Sequence, residues 1–112
     1  MDEHLIPPSE AHRLARDGEA ILIDVREEIE CSKSGLGEHA INIPLQSGNF
    51  ADQVGRTISN SNHASLILMC KSGMRSNIAY EMLLNAGFKD LRQVSGGFDR
   101  WDIDGLPKQS MI

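Results

Sequence analysis

The sequence has few cysteines and no pair of histidines at a metal-ligand spacing, and these absences exclude two kinds of small protein. Cys31 and Cys70 are its two cysteines, and they form no Cys-x-x-Cys motif. Two cysteines do not make a disulfide scaffold, although a single bond between them stays open. The histidines are isolated from one another, at His4, His12, His39 and His63. A structural zinc site is therefore not expected, and no metal ligand is assigned.

Long hydrophobic segments and an excess of basic charge are also lacking. The longest apolar run, residues 66–70, is far shorter than the roughly 20 residues that cross a bilayer. The acidic start, Met1-Asp2-Glu3, does not resemble a signal peptide. Acidic residues number 16 against 11 basic ones, a net charge of −5 that argues against a nucleic-acid partner. We therefore expect a soluble, cytoplasmic protein that binds neither membranes nor nucleic acids, with a small local anion site still open.

What is present fits one globular domain. The 112 residues are 40% hydrophobic, enough for residues 1–112 to form a single domain without metal or disulfide. Short apolar segments predict strands at residues 5–6, 20–24, 40–44, 65–69 and 91–94. Helices are predicted at residues 9–16, 50–58, 76–86 and 98–103. A short charged helix is predicted at residues 26–30. The Ser- and Gly-bearing residues 31–37 predict a loop.

The helix at residues 76–86 has the clearest pattern. Its apolar residues share one face: Ile78, Ala79, Met82, Leu83 and Ala86. Gly87 provides the C-terminal cap position. Strands and helices that alternate in this way predict an α/β fold with a mostly parallel sheet and helices on both sides. Ligands of such folds bind at the carboxyl ends of strands, so a site is expected in the loops there.

The loop between the clearest strand and this helix carries the strongest functional signal. Its residues are Cys70, Lys71, Ser72, Gly73, Met74, Arg75 and Ser76. The unpaired N–H groups of the first helical turn carry about half a positive charge, and Gly73 lets further N–H groups converge. Lys71 and Arg75 add formal positive charge. A cysteine at such a site is expected to be a thiolate at neutral pH, and hence a nucleophile.

Each residue of this loop also has a plainer interpretation. A lone cysteine at a strand end is often buried and inert. Lys71 and Arg75 are also explained as surface charges, and Ser72 and Ser76 as helix caps. The strand end, the glycine and the two basic residues occur together in one short loop, and this combination favours the nucleophile.

Four segments in order resemble the rhodanese family of sulfurtransferases, and they span nearly the whole chain. Residues 24–26 resemble the family's Asp-Val-Arg segment, and residues 40–44 its Ala-x-Asn-Ile-Pro strand. Residues 70–76 match the Cys-x-x-Gly-x-Arg-Ser active loop. Residues 96–101 and 105–107 match the closing Gly-Gly-x-x-x-Trp and Gly-Leu-Pro pattern. The resemblance implies a rhodanese-like α/β fold, with a mostly parallel central sheet flanked by helices on both faces.

The resemblance also implies a mechanism. Cys70 attacks the outer sulfur of a small anionic donor such as thiosulfate, and cyanide or a cellular thiol then takes that sulfur from the persulfide. The loop from Lys71 to Ser76 binds the donor, with charge from Lys71 and with charge and hydrogen bonds from Arg75. No cofactor or metal is implied. In this comparison Asp24 and Arg26 have structural roles beside the pocket.

The sequence departs from the family at residues 35–40, which lack the usual Gly-His-Ile-Pro-Gly-Ala order. His39 stands where that order has its second glycine, and Cys31 stands where an aromatic residue is usual. Neither change touches the cysteine loop, so both are interpreted as local repacking. A role for Cys31 as a resolving thiol stays open.

Two alternative functions remain. A persulfide carrier, which exchanges sulfur with a partner protein, needs the same loop. Cysteine-based phosphatases place five residues between nucleophile and arginine, whereas four separate Cys70 from Arg75 here. Because the shorter loop disfavours a tetrahedral phosphate or arsenate, a phosphatase or an arsenate reductase is the less favoured alternative.

Overall fold

The protein is described by a computed structural model that covers residues 4–58 and 65–111. Within them the strands are β1 (Leu5–Ile6), β2 (Ile21–Asp24), β3 (Leu36–Gly37), β4 (Ile41–Asn42), β5 (Leu66–Met69), β6 (Leu91–Val94) and β7 (Lys108–Gln109). Five strands form a parallel sheet in the order β1-β6-β5-β2-β4, and β3 pairs with β7 in an antiparallel ribbon. The expectations that concern residues 1–3 and His63 lie outside the described residues.

Helices cover both faces of the parallel sheet. They are α1 (Pro8–Arg16), α2 (Glu28–Ser34), α3 (Phe50–Ile58), α4 (Met74–Asn85) and α5 (Gly97–Ile103), with a 3₁₀ turn at Leu45–Ser47. The first, second and fifth helices pack on one face, and α3 and α4 pack on the other. The predicted α/β fold, with a parallel sheet flanked on both faces, is confirmed. Among the described residues, no helix has the length and apolar character needed to cross a membrane.

The central strands β2 and β5 supply both cores. Successive strand residues point to opposite faces, so Leu22 and Ile67 lie beneath α1 and α5, whereas Ile23 and Leu68 lie beneath α3 and α4. All four side chains are fully buried, which explains why these strands are continuously apolar. Since β5 lies between β2 and β6, the residue that follows it, Cys70, is placed at the carboxyl edge of the middle of the sheet.

Helix α2 corrects two predictions. It begins later than the helix predicted at residues 26–30, and it continues into the loop predicted at residues 31–37, where β3 also lies. A reciprocal capping box between Glu27 and Glu30 starts the helix. Cys31 lies in the core on its inner side. The Ser and Gly content of this segment concealed a helix that is stabilised by its cap and by burial.

Helix α4 begins earlier than predicted and buries a narrower face. It starts at Met74, so the end of the predicted loop forms its first turn. The predicted core face is confirmed for Ala79 and Leu83, which are fully buried. It is wrong for three exposed residues: Ile78, Met82 and Ala86. Residues four apart form one stripe along a helix. The sheet covers the stripe of Ala79 and Leu83 but not the neighbouring stripe of Ile78, Met82 and Ala86.

Candidate active site

The expected nucleophile, Cys70, lies between β5 and the loop that leads into α4. The residue is 1% exposed, and its Sγ accepts a hydrogen bond from the Gly73 N–H at 3.0 Å. Gly73 is the N-cap residue of α4 and has a φ of +124°, a conformation that favours glycine. The sulfur therefore lies at the amino end of a 12-residue helix, where the helix dipole stabilises negative charge.

The amino end of α5 holds the same loop from another side. The Phe98 N–H donates to the Cys70 carbonyl at 2.7 Å. The Asp99 N–H donates to the Lys71 carbonyl at 2.9 Å. The carbonyl and the N–H of a trans peptide point in opposite directions, so these bonds turn the N–H groups of Lys71 and Ser72 away from α5. Two backbone hydrogen bonds to a separate element thus fix the orientation of the loop.

This close approach of α5 explains the Gly-Gly pair of the closing motif. A Cβ on Gly97 would lie 2.4 Å from the Cys70 carbonyl oxygen and 2.6 Å from the Lys71 carbonyl oxygen. Gly97 also has a φ of +59°, and Gly96 one of +76°. A side chain at position 97 would therefore separate the helix from the loop.

Ser76 ties the first turn of α4 to β6. The residue is fully buried, and its hydroxyl lies 3.1 Å from the Gly73 carbonyl oxygen and 2.8 Å from the Gln93 side-chain oxygen. The N-cap residue is Gly73, and among the described residues no side chain caps α4. The interpretation of Ser72 and Ser76 as N-caps is therefore wrong. Ser72 is exposed on the loop, and Met74 is exposed at the start of α4.

Arg75 forms an ion pair with Glu30 of α2 that the sequence did not predict. Its two terminal nitrogens contact the two carboxylate oxygens, Nη2 at 2.9 Å from Oε2. The hydrogen bonds from Arg75 lower the pKa of the Glu30 carboxyl to about 2, and the carboxylate raises the pKa of the guanidinium. Because the two residues are 45 positions apart in the sequence, no local pattern indicates this pair.

Lys71, the other basic residue of the loop, is also paired. Its Nζ lies 2.9 Å from Oδ1 of Asp99 in the first turn of α5, and both side chains are largely exposed. Because Arg75 and Lys71 each contact a carboxylate, the two cations add less positive potential at Sγ than the sequence indicates. The backbone amides are left as the main source of that potential.

Asp24 and Arg26 form a buried ion pair beside the loop. Nη2 of Arg26 lies 2.8 Å from Oδ2 of Asp24, and the two side chains are 4% and 0% exposed. The guanidinium also donates to the Ser34 hydroxyl at 3.0 Å and to the Gly35 carbonyl at 3.1 Å. It stacks over the Phe98 ring, 4.1 Å from the ring centre. The pair thereby connects β2, the end of α2 and the start of α5.

The second cysteine, Cys31, lies in α2 and not in the cysteine loop. Cys31 and Cys70 are both free thiols, so the disulfide that the sequence left open is not formed. Cys31 is fully buried, and burial raises the pKa of its thiol to about 11. A protonated, enclosed thiol of this kind is unsuited to a resolving role.

A cavity of about 420 Å³ lies beside the loop. Its lining includes Ser72 and Gly73 from the loop, Asn77 and Glu81 from α4, and Gln93 from β6, whereas Cys70, Lys71 and Arg75 do not line it. A space of this size accepts a small molecule. It lies at the carboxyl end of the sheet, where ligands of α/β folds bind.

Comparisons with known proteins agree with this arrangement. The sequence matches the rhodanese-like domain family over residues 7–104. It is 34% identical over 109 residues to thiosulfate sulfurtransferase 16, chloroplastic, of Arabidopsis thaliana, covering 89% of this chain and 88% of that protein. It is 28% identical over 104 residues to the tRNA uridine(34) hydroxylase of Nitrobacter hamburgensis, covering 92% of this chain but 40% of that protein. The chain thus spans less than half the length of the second relative. A crystal structure of thiosulfate sulfurtransferase from Pseudomonas aeruginosa matches the fold with a TM-score of 0.74 at 23% identity, over 95% of this chain and 20% of that one.

Proposed function

This chain belongs to the rhodanese-like domain family, and we propose that it transfers sulfane sulfur from a small anionic donor to a thiophilic acceptor through a persulfide on Cys70. The proposal rests on the Cys70 Sγ, which lies 3.0 Å from the Gly73 N–H at the amino end of α4. Aligned amide dipoles stabilise negative charge there, both on the thiolate and on the persulfide. A relative named thiosulfate sulfurtransferase, 34% identical to this chain, makes thiosulfate the first donor to test.

The transfer takes two displacement steps. In the first, the Cys70 thiolate attacks the outer sulfur of thiosulfate, a bond forms between Sγ and that sulfur, and sulfite leaves with the electron pair of the broken S–S bond. In the second, cyanide or a thiolate attacks the outer persulfide sulfur, and Cys70 leaves as the thiolate. Neither step needs a cofactor or a metal.

The loop from Lys71 to Ser76 is proposed to bind the donor. Lys71 is exposed, and its ion pair with Asp99 is open to solvent, so an arriving anion competes with the carboxylate for its charge. Arg75 is held by Glu30, so its part is to hold the start of α4 and to contribute field rather than to move toward the donor.

Mass spectrometry of the protein after incubation with thiosulfate tests the persulfide. We expect a gain of one sulfur atom on Cys70, removal of that sulfur by cyanide, and loss of both in Cys70→Ser. Cys31→Ala is the matched control and should keep the transfer, since Cys31 lies in the core on the inner side of α2. A wild-type chain that gains no sulfur from any donor in a panel, or that hydrolyses an aryl phosphate in a Cys70-dependent way, would contradict the proposal.

A persulfide carrier acting with a partner protein is the second candidate, and one surface feature favours it. The apolar residues that the sheet leaves uncovered on α4 begin in the cysteine loop: Met74 is 80% exposed, Ile78 53% and Met82 41%. Residues four apart lie along one stripe of a helix, so a protein docked on this stripe would lie next to Cys70. The carrier is favoured if the persulfide forms, cyanide removes its sulfur poorly, and a protein acceptor removes that sulfur efficiently. Efficient turnover with cyanide alone favours the free enzyme.

A further inference from the structure

A cluster of two imidazoles and one carboxylate lies outside the cysteine site. His12 is in α1, whereas Glu38 and His39 are in the turn between β3 and β4. The Nε2 atom of His12 lies 2.8 Å from Oε1 of Glu38, and Nε2 of His39 lies 3.6 Å from the same oxygen. One ligand atom from each residue lies within 4.8 Å of the other two. The fold thus brings His12 to two metal-ligating groups of a turn that is distant in the sequence.

We propose that His12, Glu38 and His39 bind a divalent transition-metal ion such as Zn²⁺, with a fourth position open to water or another ligand. Zn²⁺ binds imidazole nitrogen and carboxylate oxygen at about 2.0–2.2 Å, which puts tetrahedral ligand atoms about 3.3 Å apart. The separations from the Glu38 oxygen, 2.8 Å and 3.6 Å, lie on either side of that value. Small side-chain rotations therefore bring the three groups to bonding distance. Two histidines and one carboxylate form a ligand set suited to zinc, cobalt, nickel or copper.

The turn that carries two of the ligands is held in place by other elements. His39 has a φ of +72° and is the one residue other than glycine with positive φ among the described residues. This backbone conformation is costly for a residue with a Cβ. The Glu38 N–H donates to the Pro107 carbonyl at 3.0 Å, and the Gln109 side chain donates to the Ala40 carbonyl at 2.9 Å. The surrounding chain thus fixes the backbone of the turn that carries Glu38 and His39.

The third ligand, His12, is held by packing. Its side chain is 13% exposed, and its ring meets the ring of Trp101 edge-on, with 5.6 Å between the centroids. The His12 and His39 rings face each other at 5.9 Å. A bound ion would connect α1 to the turn between β3 and β4. The cluster shares no residue with the cysteine loop, and α1, which carries His12, packs on the face of the sheet opposite α4.

Cobalt and zinc binding to the full chain test the site, with Cys70→Ser as the background so that the loop thiol does not bind the ion. We expect Co²⁺ to give the visible absorption of a low-coordinate nitrogen and oxygen site and to quench the fluorescence of Trp101, the single tryptophan of the chain. Zn²⁺ should displace Co²⁺ with one ion per chain. Excess Zn²⁺ should raise the Tm by several degrees, because the ion binds the folded state.

Variants of the ligands decide whether this cluster is responsible. His12→Gln and His39→Gly should each weaken Co²⁺ and Zn²⁺ binding by more than about tenfold, whereas His4→Gln, a histidine that stacks on Tyr80, should leave binding unchanged. His39→Gly removes the positive-φ strain, so this variant should fold at least as well as its parent. Binding that is unaffected by both ligand variants, or no Co²⁺ spectrum and no Tm shift with millimolar metal, would overturn the proposal. Neither result bears on sulfur transfer by Cys70.

Discussion

The charge of Arg75 is divided between the cysteine loop and helix α2. Its guanidinium contacts both oxygens of Glu30, and Glu30 also accepts the Glu27 N–H at 3.0 Å as part of the capping box of α2. One carboxylate therefore caps a helix and neutralises the arginine that follows Cys70. The sequence alone therefore overestimates the net positive charge of the loop, because Glu30, which neutralises Arg75, is distant in the sequence but close in space.

Glu30→Gln should change how the stability depends on pH. The Glu30 carboxyl has its pKa lowered from 4.5 to about 2 by Arg75, so the unfolded chain binds this proton more readily than the folded one. The ion pair therefore stabilises the fold above pH 4.5, and that contribution disappears as the pH falls toward 2. Since the pair is partly exposed, we expect Glu30→Gln to lower the free energy of unfolding by about 1 kcal/mol at pH 6.

Urea denaturation of both proteins between pH 6 and pH 2 provides the measurement. Glutamine keeps the capping hydrogen bond, so the two unfolding free energies should converge at the acid end of the series. An NMR titration should show the Glu30 carboxyl moving back toward its ordinary pKa in Arg75→Gln. A constant difference between the two proteins at every pH would show that the ion pair does not cause the effect.

Elements, rather than single residues, set the shape of the cysteine loop. The amino end of α5 donates to the carbonyls of Cys70 and Lys71, and this contact depends on the absence of a side chain at Gly97. The Cys70 sulfur is thus positioned in part by a helix that begins far beyond the loop in the sequence. The closing motif and the cysteine loop are two halves of one structural unit.

Gly97→Ala should impair sulfur transfer more than Gly105→Ala. Both glycines have positive φ, +59° and +70°, so alanine costs about 1–2 kcal/mol of backbone strain at either position. A Cβ at position 97 also lies 2.4 Å from the Cys70 carbonyl oxygen, whereas one at Gly105 meets nothing within 4 Å. We expect Gly97→Ala to lower the rate of sulfur transfer to cyanide at least about tenfold more than Gly105→Ala does. The urea midpoint of each variant is measured alongside. Equal losses in the two variants would mean that the contact between α5 and the loop is unimportant.

The elements also show how far the sequence predicts this structure. Continuous apolar runs identified β2 and β5, and the spacing of the cysteine loop placed Cys70 at the end of β5, because these features depend on neighbouring residues. Helix α2 was not predicted at its full length, since its stability comes from the Glu27 cap and from burial of Cys31. The pairing of Arg75 with Glu30, and the meeting of His12 with His39, depend on tertiary packing, which no local pattern encodes.

At the scale of the whole molecule, the ion pair of Asp24 and Arg26 is where separate layers meet. Arg26 contacts the end of α2 through the Gly35 carbonyl and the start of α5 through the Phe98 ring. The Asn42 side chain donates to the carbonyls of Asp24 and Arg26, both at 2.9 Å, and so joins β4 to the same point. The resemblance implies a structural role for the two residues, and the contacts of this junction agree with that role.

Asp24→Asn should destabilise the entire domain. The substitution leaves the Arg26 charge in the interior, where its side chain is 4% exposed, and breaking a buried pair in this way costs about 3–5 kcal/mol. That is a large part of the roughly 5–15 kcal/mol that holds a domain folded. Asp102→Asn is the matched control, because the pair of Asp102 with Lys108 is exposed and worth at most about 1 kcal/mol.

The double variant Asp24→Leu with Arg26→Met separates the cost of an unpaired charge from the value of the pair itself. Replacing both charges by apolar side chains removes the buried cation, so we expect it to recover much of the unfolding free energy that Asp24→Asn loses. Urea midpoints with unchanged m-values give the comparison. A double variant as unstable as Asp24→Asn would show that the hydrogen bonds of Arg26 to α2, rather than the neutralised charge, stabilise the junction. An Asp24→Asn protein within about 1 kcal/mol of wild type would show that this junction does not hold the layers together.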